Sequence, residues 1–385
     1  MKKALGALAF GAFGFSMSEY AMVGILTKAA RGLHVEIAFA GHFLSAYALG
    51  VVAGALAWAT LCRNQPPKKM LIWLVVFFTL GNLLTAGAEQ YGDMLVIRFM
   101  AGLPQGAFFG LGSIVAEQLA PKGRRAGAVA ALFAGATVAN IVGVPLGIWA
   151  GHLVSWRMTY ALIGLCGFGA FWLLWKWMPA LAPAAVTPLK SEVSFLKRAA
   201  PWILLLGIAV GNGGIFCWLS YISPLMIHVS GLPPQYMTFV MMLAGIGMFA
   251  GNWLSGKLTE RFRPSAVAAG FQAAGCVMLM LIFFFSGNVW LSLVWVFLGS
   301  GMMFALSVPE QMLLIQNAPG GALLGAAVAQ AGFYLGNTLG ALGGGIPLQM
   351  GFGYQYTALA GGILGVIGLF FLVYYFKKYK PAPAK

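Results

Sequence analysis

The chain alternates long apolar runs with short polar connections. A helix needs about 20 apolar residues to cross a bilayer, and twelve runs reach this length. They cover residues 4–26, 40–61, 70–88, 94–119, 127–150, 157–178, 201–226, 237–258, 266–286, 290–316, 323–348 and 354–376. A membrane barrel would instead show strands of about ten residues with alternating polarity. The pattern therefore predicts an all-α membrane protein with twelve transmembrane helices.

The composition supports this prediction. Of 385 residues, 61% are hydrophobic and 8% are charged, whereas a soluble domain carries about 25% charged residues. A net charge of +15 would suggest nucleic acid as the partner of a soluble protein. Here the basic residues lie in short gaps between apolar runs, so we expect a lipid bilayer and no nucleic acid. The four cysteines form no CxxC pair, and neither a metal site nor a cofactor is predicted.

The lysines and arginines predict the orientation of the chain. Most of the 23 fall on the side of the two termini, whereas Lys28, Arg31 and Arg157 fall on the other side. By the positive-inside rule both termini are cytoplasmic. Lys2 and Lys3 resemble the start of a signal peptide, but the run that follows is too long, so we expect a retained first helix. The prediction is a multi-pass protein of the cell inner membrane.

The longest connection divides the chain into two halves. It contains three prolines and predicts an N-terminal six-helix bundle at 1–178, a cytoplasmic linker at 179–200 and a C-terminal six-helix bundle at 201–385. The halves also repeat, because a shift of 198 residues places the Ala-Pro pair at 120–121 on the pair at 318–319. A parallel repeat of two six-helix halves is one of the plans used by membrane transporters.

Several stretches carry a resemblance to a known family. Residues 14–24 read GFSMSEYAMVG, residues 40–50 read AGHFLSAYALG, and Arg98 is followed by Gly102 and Gly106. On these stretches the chain resembles the major facilitator superfamily over its whole length, and within it the drug:proton antiporter-1 group, near bacterial arabinose-efflux and sugar-efflux proteins.

Two further motifs are similar to gating motifs of that family. Residues 143–147, GVPLG, are a variant of its antiporter motif and are expected to let the fifth and eighth helices pack closely. Residues 256–261, GKLTER, match its cytoplasmic gating motif, whereas the first-half copy is degenerate because Cys62 stands at its acid position. The gating residues implied are Gly143, Pro145, Gly147, Gly256, Glu260 and Arg261.

The resemblance implies a major facilitator fold, two six-helix bundles around a midplane cavity, and transport by alternating access. The leading hypothesis is proton-coupled efflux of a sugar, a sugar-like compound or a small drug by a monomer. Proton-independent or inward facilitated transport is the first alternative. A non-transporting membrane receptor or an intramembrane enzyme is the alternative from another class, although no P-loop or nucleophile motif points to an enzyme.

Ionisable groups inside the membrane are functional candidates, because burying them is costly. Of the eight acids, Glu19 and Glu310 lie well inside apolar runs, and Arg98 lies inside the fourth run. The cavity of this superfamily is lined by helices one, four, seven and ten, so Glu19 and Arg98 are expected to meet and to couple transport to protons. A nearby guanidinium favours the ionised carboxylate, whereas burial favours the neutral acid. A fixed structural ion pair is the alternative.

Polar and aromatic side chains on the cavity helices are candidates for solute binding. Amide and hydroxyl groups suit sugar hydroxyls, and aromatic faces suit sugar rings or planar drugs. The alternative is that each amide forms a hydrogen bond with another helix. The candidates are Tyr20, Gln105, Asn140, Asn212, Trp218, Tyr221, Glu310, Gln311, Tyr334 and Asn337.

Overall fold

The computed structural model describes residues 2–61, 65–121, 125–181, 196–317 and 322–379. Within these ranges the chain is helical almost throughout and contains no β-strand. Eleven helical stretches there are long and apolar enough to cross a membrane, and Ala322–Gln349, a helix of 28 residues, covers the remaining predicted run. The predicted all-α membrane fold is confirmed.

The helices are numbered here in chain order. They are α1 (Lys2–Gly32), α2 (Ile37–Ala40), α3 (His42–Leu61), α4 (Pro67–Gly87), α5 (Tyr91–Leu119), α6 (Arg125–Val138), α7 (Val144–Leu153), α8 (Trp156–Trp177), α9 (Ala199–Leu219), α10 (Ile222–His228), α11 (Met237–Arg261), α12 (Pro264–Phe285), α13 (Val289–Gln316), α14 (Ala322–Gln349) and α15 (Tyr356–Tyr379).

Two predicted single helices are interrupted, and proline explains both interruptions. Proline lacks the N–H that would bond to the carbonyl four residues earlier. Ahead of Pro145 the chain forms a π-helical turn, Ala139–Gly143, which separates α6 from α7. Ahead of Pro224 it breaks at Ser220 and Tyr221, between α9 and α10.

Some sequence-based predictions lie outside the described residues. These are the degenerate gating motif at Cys62 and Arg63, most of the predicted linker, the basic residues Lys122 and Arg124, and the 318–321 part of the internal repeat. The chain tail beyond residue 379, with Lys380 and Lys385, also lies outside them.

The first compact unit comprises Met1–Val35, Ala46–Val186 and Met237–Met242. Its central helix is α1, which packs against α4, α5, α6, α7 and α8. The Phe15 ring lies 4.2 Å from the Phe78 ring and 4.7 Å from the Phe108 ring. These aromatic contacts join α1 to α4 and α5 and fix the position of the polar residues one turn further along α1.

The second compact unit comprises Glu36–Ser45, Thr187–Tyr236 and Leu243–Lys385. Its central helix is α9, which packs against α14 and α15 through a seam of glycines. A Cβ atom on Gly340 would lie 2.5 Å from the Gly213 carbonyl oxygen, and one on Gly361 would overlap the Gly214 carbonyl oxygen. Backbones approach this closely only where side chains are absent.

Residues 36–45 group with the second unit, although the rest of α3 groups with the first. The Tyr221 hydroxyl lies 3.2 Å from the Ala38 carbonyl oxygen and 2.9 Å from the Ala341 carbonyl oxygen. The Ser45 hydroxyl donates to the Thr338 carbonyl oxygen at 3.2 Å. These bonds attach the segment to α14 and to the break between α9 and α10.

Large apolar side chains cover much of the helix surface. Trp73 is 49% exposed, Trp175 61%, Phe284 71% and Trp290 75%. Water disfavours contiguous exposed apolar surface, so these side chains are placed to contact lipid.

Candidate functional site

A buried guanidinium is the centre of a polar site in the first unit. Arg98 on α5 is fully buried. Its two terminal nitrogens lie 3.4 Å from the Ser18 hydroxyl and 3.3 Å from the Ser18 carbonyl oxygen. Ser18 in turn donates its hydroxyl hydrogen to Asn82 Oδ1 at 2.6 Å. The Arg98 Nε–H has no hydrogen-bond partner. The site therefore retains one unused donor.

Two tyrosine rings flank the guanidinium. The Arg98 Cζ atom lies 4.1 Å from the centroid of Tyr47 and 5.2 Å from that of Tyr160. An aromatic face attracts a cation most strongly where water is excluded. The rings therefore compensate in part for the lost hydration of a charge buried among helices.

Gln105 links this cation to Glu19. Its amide nitrogen donates to Glu19 Oε2 at 2.6 Å, and its amide oxygen accepts the Tyr47 hydroxyl. Gln105 is fully buried and Glu19 is 7% exposed. Arg98 and Gln105 are seven residues apart, so they share a face of α5 about 10 Å from one another. Tyr47 connects the two side chains, because its ring faces the Arg98 guanidinium and its hydroxyl donates to Gln105 Oε1.

The structure thus brings the two predicted coupling residues into one network. The recorded hydrogen bonds join Glu19 to Gln105 and Arg98 to Ser18, with Tyr47 contacting both Gln105 and Arg98. A carboxyl group, an amide, a phenol and a guanidinium thus share one buried network in the first unit.

A second polar pair lies in the second unit. Asn212 on α9 donates its amide N–H to Glu310 Oε2 at 2.7 Å, and both side chains are buried. Asn212 sits between Gly211 and Gly213, whose contacts to α15 and α14 fix the α9 backbone on both sides. Its side chain meets α13 at Glu310.

Pro309 shapes α13 immediately before Glu310. Its missing N–H leaves the Ala305 carbonyl without the usual helical donor. The Ser255 hydroxyl of α11 donates to this carbonyl. A side chain of a neighbouring helix thus satisfies the group that the proline leaves free, as is typical of prolines in membrane helices.

The other predicted cavity residues have varied surroundings. Tyr20, Asn140, Trp218, Tyr334 and Asn337 are buried, and Gln311 is half-buried. The Trp218 indole N–H and the Asn140 amide oxygen have no hydrogen-bond partner. The Tyr221 hydroxyl already contacts two backbone carbonyls.

The fifth-helix motif packs inside the first unit. A Cβ atom on Gly143 would lie 2.6 Å from the Phe13 ring, and one on Gly147 would lie 2.7 Å from Met17 Cε. Pro145 between them is buried, and the Thr159 hydroxyl donates to the Gly147 carbonyl oxygen at 2.7 Å. Both glycines therefore contact α1, and Gly147 also contacts α8; these are contacts that the sequence did not suggest.

The second motif ends α11. A Cβ atom on Gly256 would have no other atom within 4 Å. The Glu260 and Arg261 side chains are exposed. The Lys257 ammonium lies 3.7 Å from the centroid of the Trp253 ring. The charged residues of this motif are therefore accessible at a helix end.

The sequence analysis missed Ser18, Tyr47, Asn82 and Tyr160 as members of the polar site. Each is a single polar residue in an apolar run, and such residues most often bond to their own helix or pack in a core. Asn82 does both, since its amide also donates to the Phe78 carbonyl at 2.8 Å. Ser18 and Tyr47 lie in the stretches that carry the family resemblance. Among the residues described, no group of three metal-ligating side chains is present.

Comparison with known proteins decides the family. A model of the Major Facilitator Superfamily matches residues 8–329. The chain belongs to this superfamily. Superfamily membership makes it a multi-pass membrane transporter of small solutes rather than an enzyme.

Curated relatives of this superfamily match along nearly the whole chain. "Putative transporter AraJ" of Escherichia coli is 39% identical over 97% of this chain and 95% of its own length. "Inner membrane transport protein YdhP" of the same species is 35% identical over 94% and 93%. "Probable sugar efflux transporter" of Helicobacter pylori is 28% identical over 96% and 94%.

Solved structures of other superfamily members share the fold. A D-xylose–proton symporter superposes with a TM-score of 0.77 at 14% identity, over 96% of both chains. A bacterial homologue of the human lysosomal transporter Spinster gives a TM-score of 0.73 at 15% identity, over 97% of this chain and 96% of its own. At these identities the likeness concerns architecture alone.

Proposed function

We propose that this protein is a proton-coupled efflux transporter of the bacterial inner membrane for a sugar, a sugar-like compound or a small drug. The observation that carries the proposal is the buried network of Glu19, Gln105, Tyr47 and Arg98 in the first unit. The sugar class is supported by the sugar efflux relative in Helicobacter pylori. The inner-membrane location is supported by YdhP.

The network supplies a physical reason for exchange. An ionised Glu19 is a charge-assisted acceptor, for the Gln105 amide N–H or for a sugar hydroxyl that replaces it, and protonation of Glu19 weakens either bond. Solute therefore binds better once Glu19 has released its proton. Proton and solute compete for one side chain, and by linkage each lowers the affinity for the other, as exchange requires.

The direction of exchange follows from the proposed orientation. With both termini cytoplasmic, protons enter from the outer face down their gradient and solute leaves the cell. Alternating access then separates proton uptake from proton release in space.

The test is solute-induced proton movement in everted membrane vesicles with a pH-sensitive dye. Candidate sugars, thiogalactosides, nucleosides and amphenicol drugs are added in turn to wild type, Glu19→Gln and Glu89→Gln. Glu89 is exposed in a connection, so its variant controls for loss of a carboxylate as such. We expect proton release with wild type and Glu89→Gln, and none with Glu19→Gln.

Radiolabelled solute distinguishes the alternatives. If Glu19→Gln still exchanges labelled solute across the membrane without a gradient, its binding site is intact and only coupling is lost, as proposed. If wild type and Glu19→Gln both move solute and neither responds to the proton gradient, coupling through Glu19 is refuted and facilitated transport is the function.

A further inference from the structure

Glu310 in the second unit is a buried carboxylate that the proposed exchange at Glu19 does not use. Glu310 is 2% exposed and Asn212 is fully buried. Glu310 Oε2 accepts the Asn212 amide N–H at 2.7 Å. The other oxygen of each side chain, Glu310 Oε1 and Asn212 Oδ1, is buried and has no hydrogen-bond partner. Two oxygen acceptors thus lack a donor at the same pair.

No described residue on the helices around Glu310 forms an ion pair with it. The helices packed against α13 are α9, α11, α12 and α14. In addition, α15 contacts the C-terminal end of α13, where the Asn317 amide donates to the Tyr375 hydroxyl. Among the described residues, Asn212 is the one hydrogen-bond partner recorded for Glu310. Lys257 is engaged by the Trp253 ring at the end of α11. The titratable groups on these helices are Cys217, Lys257, Glu260, Arg261, Cys276, Tyr334, Tyr356, Tyr374, Tyr375, Lys377, Lys378 and Tyr379.

The protonation state follows from comparing two costs. An ionised Glu310 places a charge in the membrane interior with one amide donor and no cation, and burial of an unpaired charge is the most expensive polar arrangement in a protein. A neutral Glu310 leaves one hydroxyl without an acceptor, which costs much less. We propose that Glu310 and Asn212 form a second proton-binding site, in which the proton is held on Glu310 Oε1 in this conformation.

The two carboxylates then have different tasks. Glu19 lies in a network that contains a guanidinium, whereas Glu310 depends on an amide alone. Glu310 lies six residues before the end of α13, about 9 Å along the helix. A change of conformation that admits water or a cation there favours release of the proton. This role in the transport cycle rests on the proposed function, whereas the presence of the proton on Glu310 does not.

Infrared spectroscopy of the purified full chain in lipid nanodiscs tests for the proton directly. The measurement compares wild type with Glu310→Gln, Glu19→Gln and Glu89→Gln at neutral pH. We expect the carbonyl band of a protonated carboxylic acid in wild type, its loss in Glu310→Gln and its retention in Glu89→Gln. If Glu310→Gln instead removes only carboxylate bands, Glu310 is ionised and the proposal is wrong.

A second variant keeps the test informative if Glu310→Gln does not fold. Asn212→Leu retains Glu310 but removes the amide that donates to Oε2, so the acid carbonyl band is expected to shift to higher frequency. A band that does not move in a folded Asn212→Leu protein overturns the assignment to this pair.

Vesicle transport tests the role of the proton. Glu310→Gln mimics the neutral acid, so we expect solute exchange without a gradient to persist while protons released per solute fall roughly twofold. Glu19→Gln is still expected to release none, because Glu310 releases its proton only in cycles that are coupled through Glu19. An unchanged ratio, or loss of exchange in a folded variant, excludes a proton-carrying role for Glu310. Absence of any transport by wild type would refute the proposed efflux function and leave the infrared result standing.

Discussion

The bond between Ser255 and the carbonyl that Pro309 leaves free yields a quantitative prediction. Ser255→Ala removes the donor to the Ala305 carbonyl and leaves a buried acceptor unpaired. Such a group costs about 1–3 kcal/mol in soluble proteins, and hydrogen bonds between membrane helices average about 0.6 kcal/mol in double-mutant cycles. We therefore expect Ser255→Ala to lower the free energy of unfolding by about 1 kcal/mol, roughly a fivefold change in the unfolding equilibrium.

The same change in a Pro309→Ala background isolates the cause. Alanine at 309 restores the N–H that bonds to the Ala305 carbonyl, so loss of the Ser255 hydroxyl should then cost less than about 0.5 kcal/mol. Unfolding in mixed micelles of SDS and a mild detergent, followed by circular dichroism, measures all four proteins. The coupling energy between the two sites is the quantity of interest.

Ser300→Ala is the matched control. Like Ser255, Ser300 is fully buried, and it lies on α13. Its hydroxyl donates to the Val296 carbonyl at 2.5 Å. That carbonyl already accepts the Ser300 N–H as its helical partner. We expect a small effect. Equal destabilisation by Ser255→Ala in both backgrounds would refute the reasoning, because the hydroxyl would then act independently of the proline.

Two further changes test packing and capping in the first and second units. Gly54→Ala should lower the melting temperature in detergent, because its Cβ atom would overlap the Leu103 carbonyl oxygen. The control is Gly270→Ala, whose Cβ atom meets open space and which should be neutral or stabilising by up to about 1 kcal/mol. Similar melting temperatures for the two variants would contradict this. Lys28→Met should destabilise by about 0.3–1 kcal/mol, since Lys28 donates to the His152 carbonyl at 3.0 Å near the end of α7, and Lys28→Arg should recover most of the loss in the same unfolding assay.

The fold was predictable because apolar run length alone indicates a membrane helix. Interruptions within the runs were less visible, although Pro145 and Pro224 account for both. Proline position identifies where a helix loses a hydrogen bond, but it does not say whether the chain forms a π turn, as at Ala139–Gly143, or breaks, as at Ser220. That choice depends on packing against neighbouring helices.

The site was predictable only for residues that are costly to bury. Glu19, Arg98 and Glu310 stand out because charge in an apolar run requires an explanation. Ser18, Tyr47 and Tyr160 did not stand out, because a hydroxyl or an aromatic ring is cheap to bury and has many structural uses. Helix rotation decides which of them face Arg98, and the weak amphipathicity of buried helices does not reveal that rotation.

The glycine seam of α9, α14 and α15 has a consequence for the mutational history of the transporter. Every replacement of glycine adds a Cβ atom, and at Gly214, Gly340 and Gly361 that atom would overlap backbone, which no rotamer change can relieve. At each of these positions, therefore, no amino-acid replacement is expected to be nearly neutral. Solute specificity is expected to drift through residues such as Tyr334, whose side chain can be exchanged on an unchanged backbone, while the seam stays fixed.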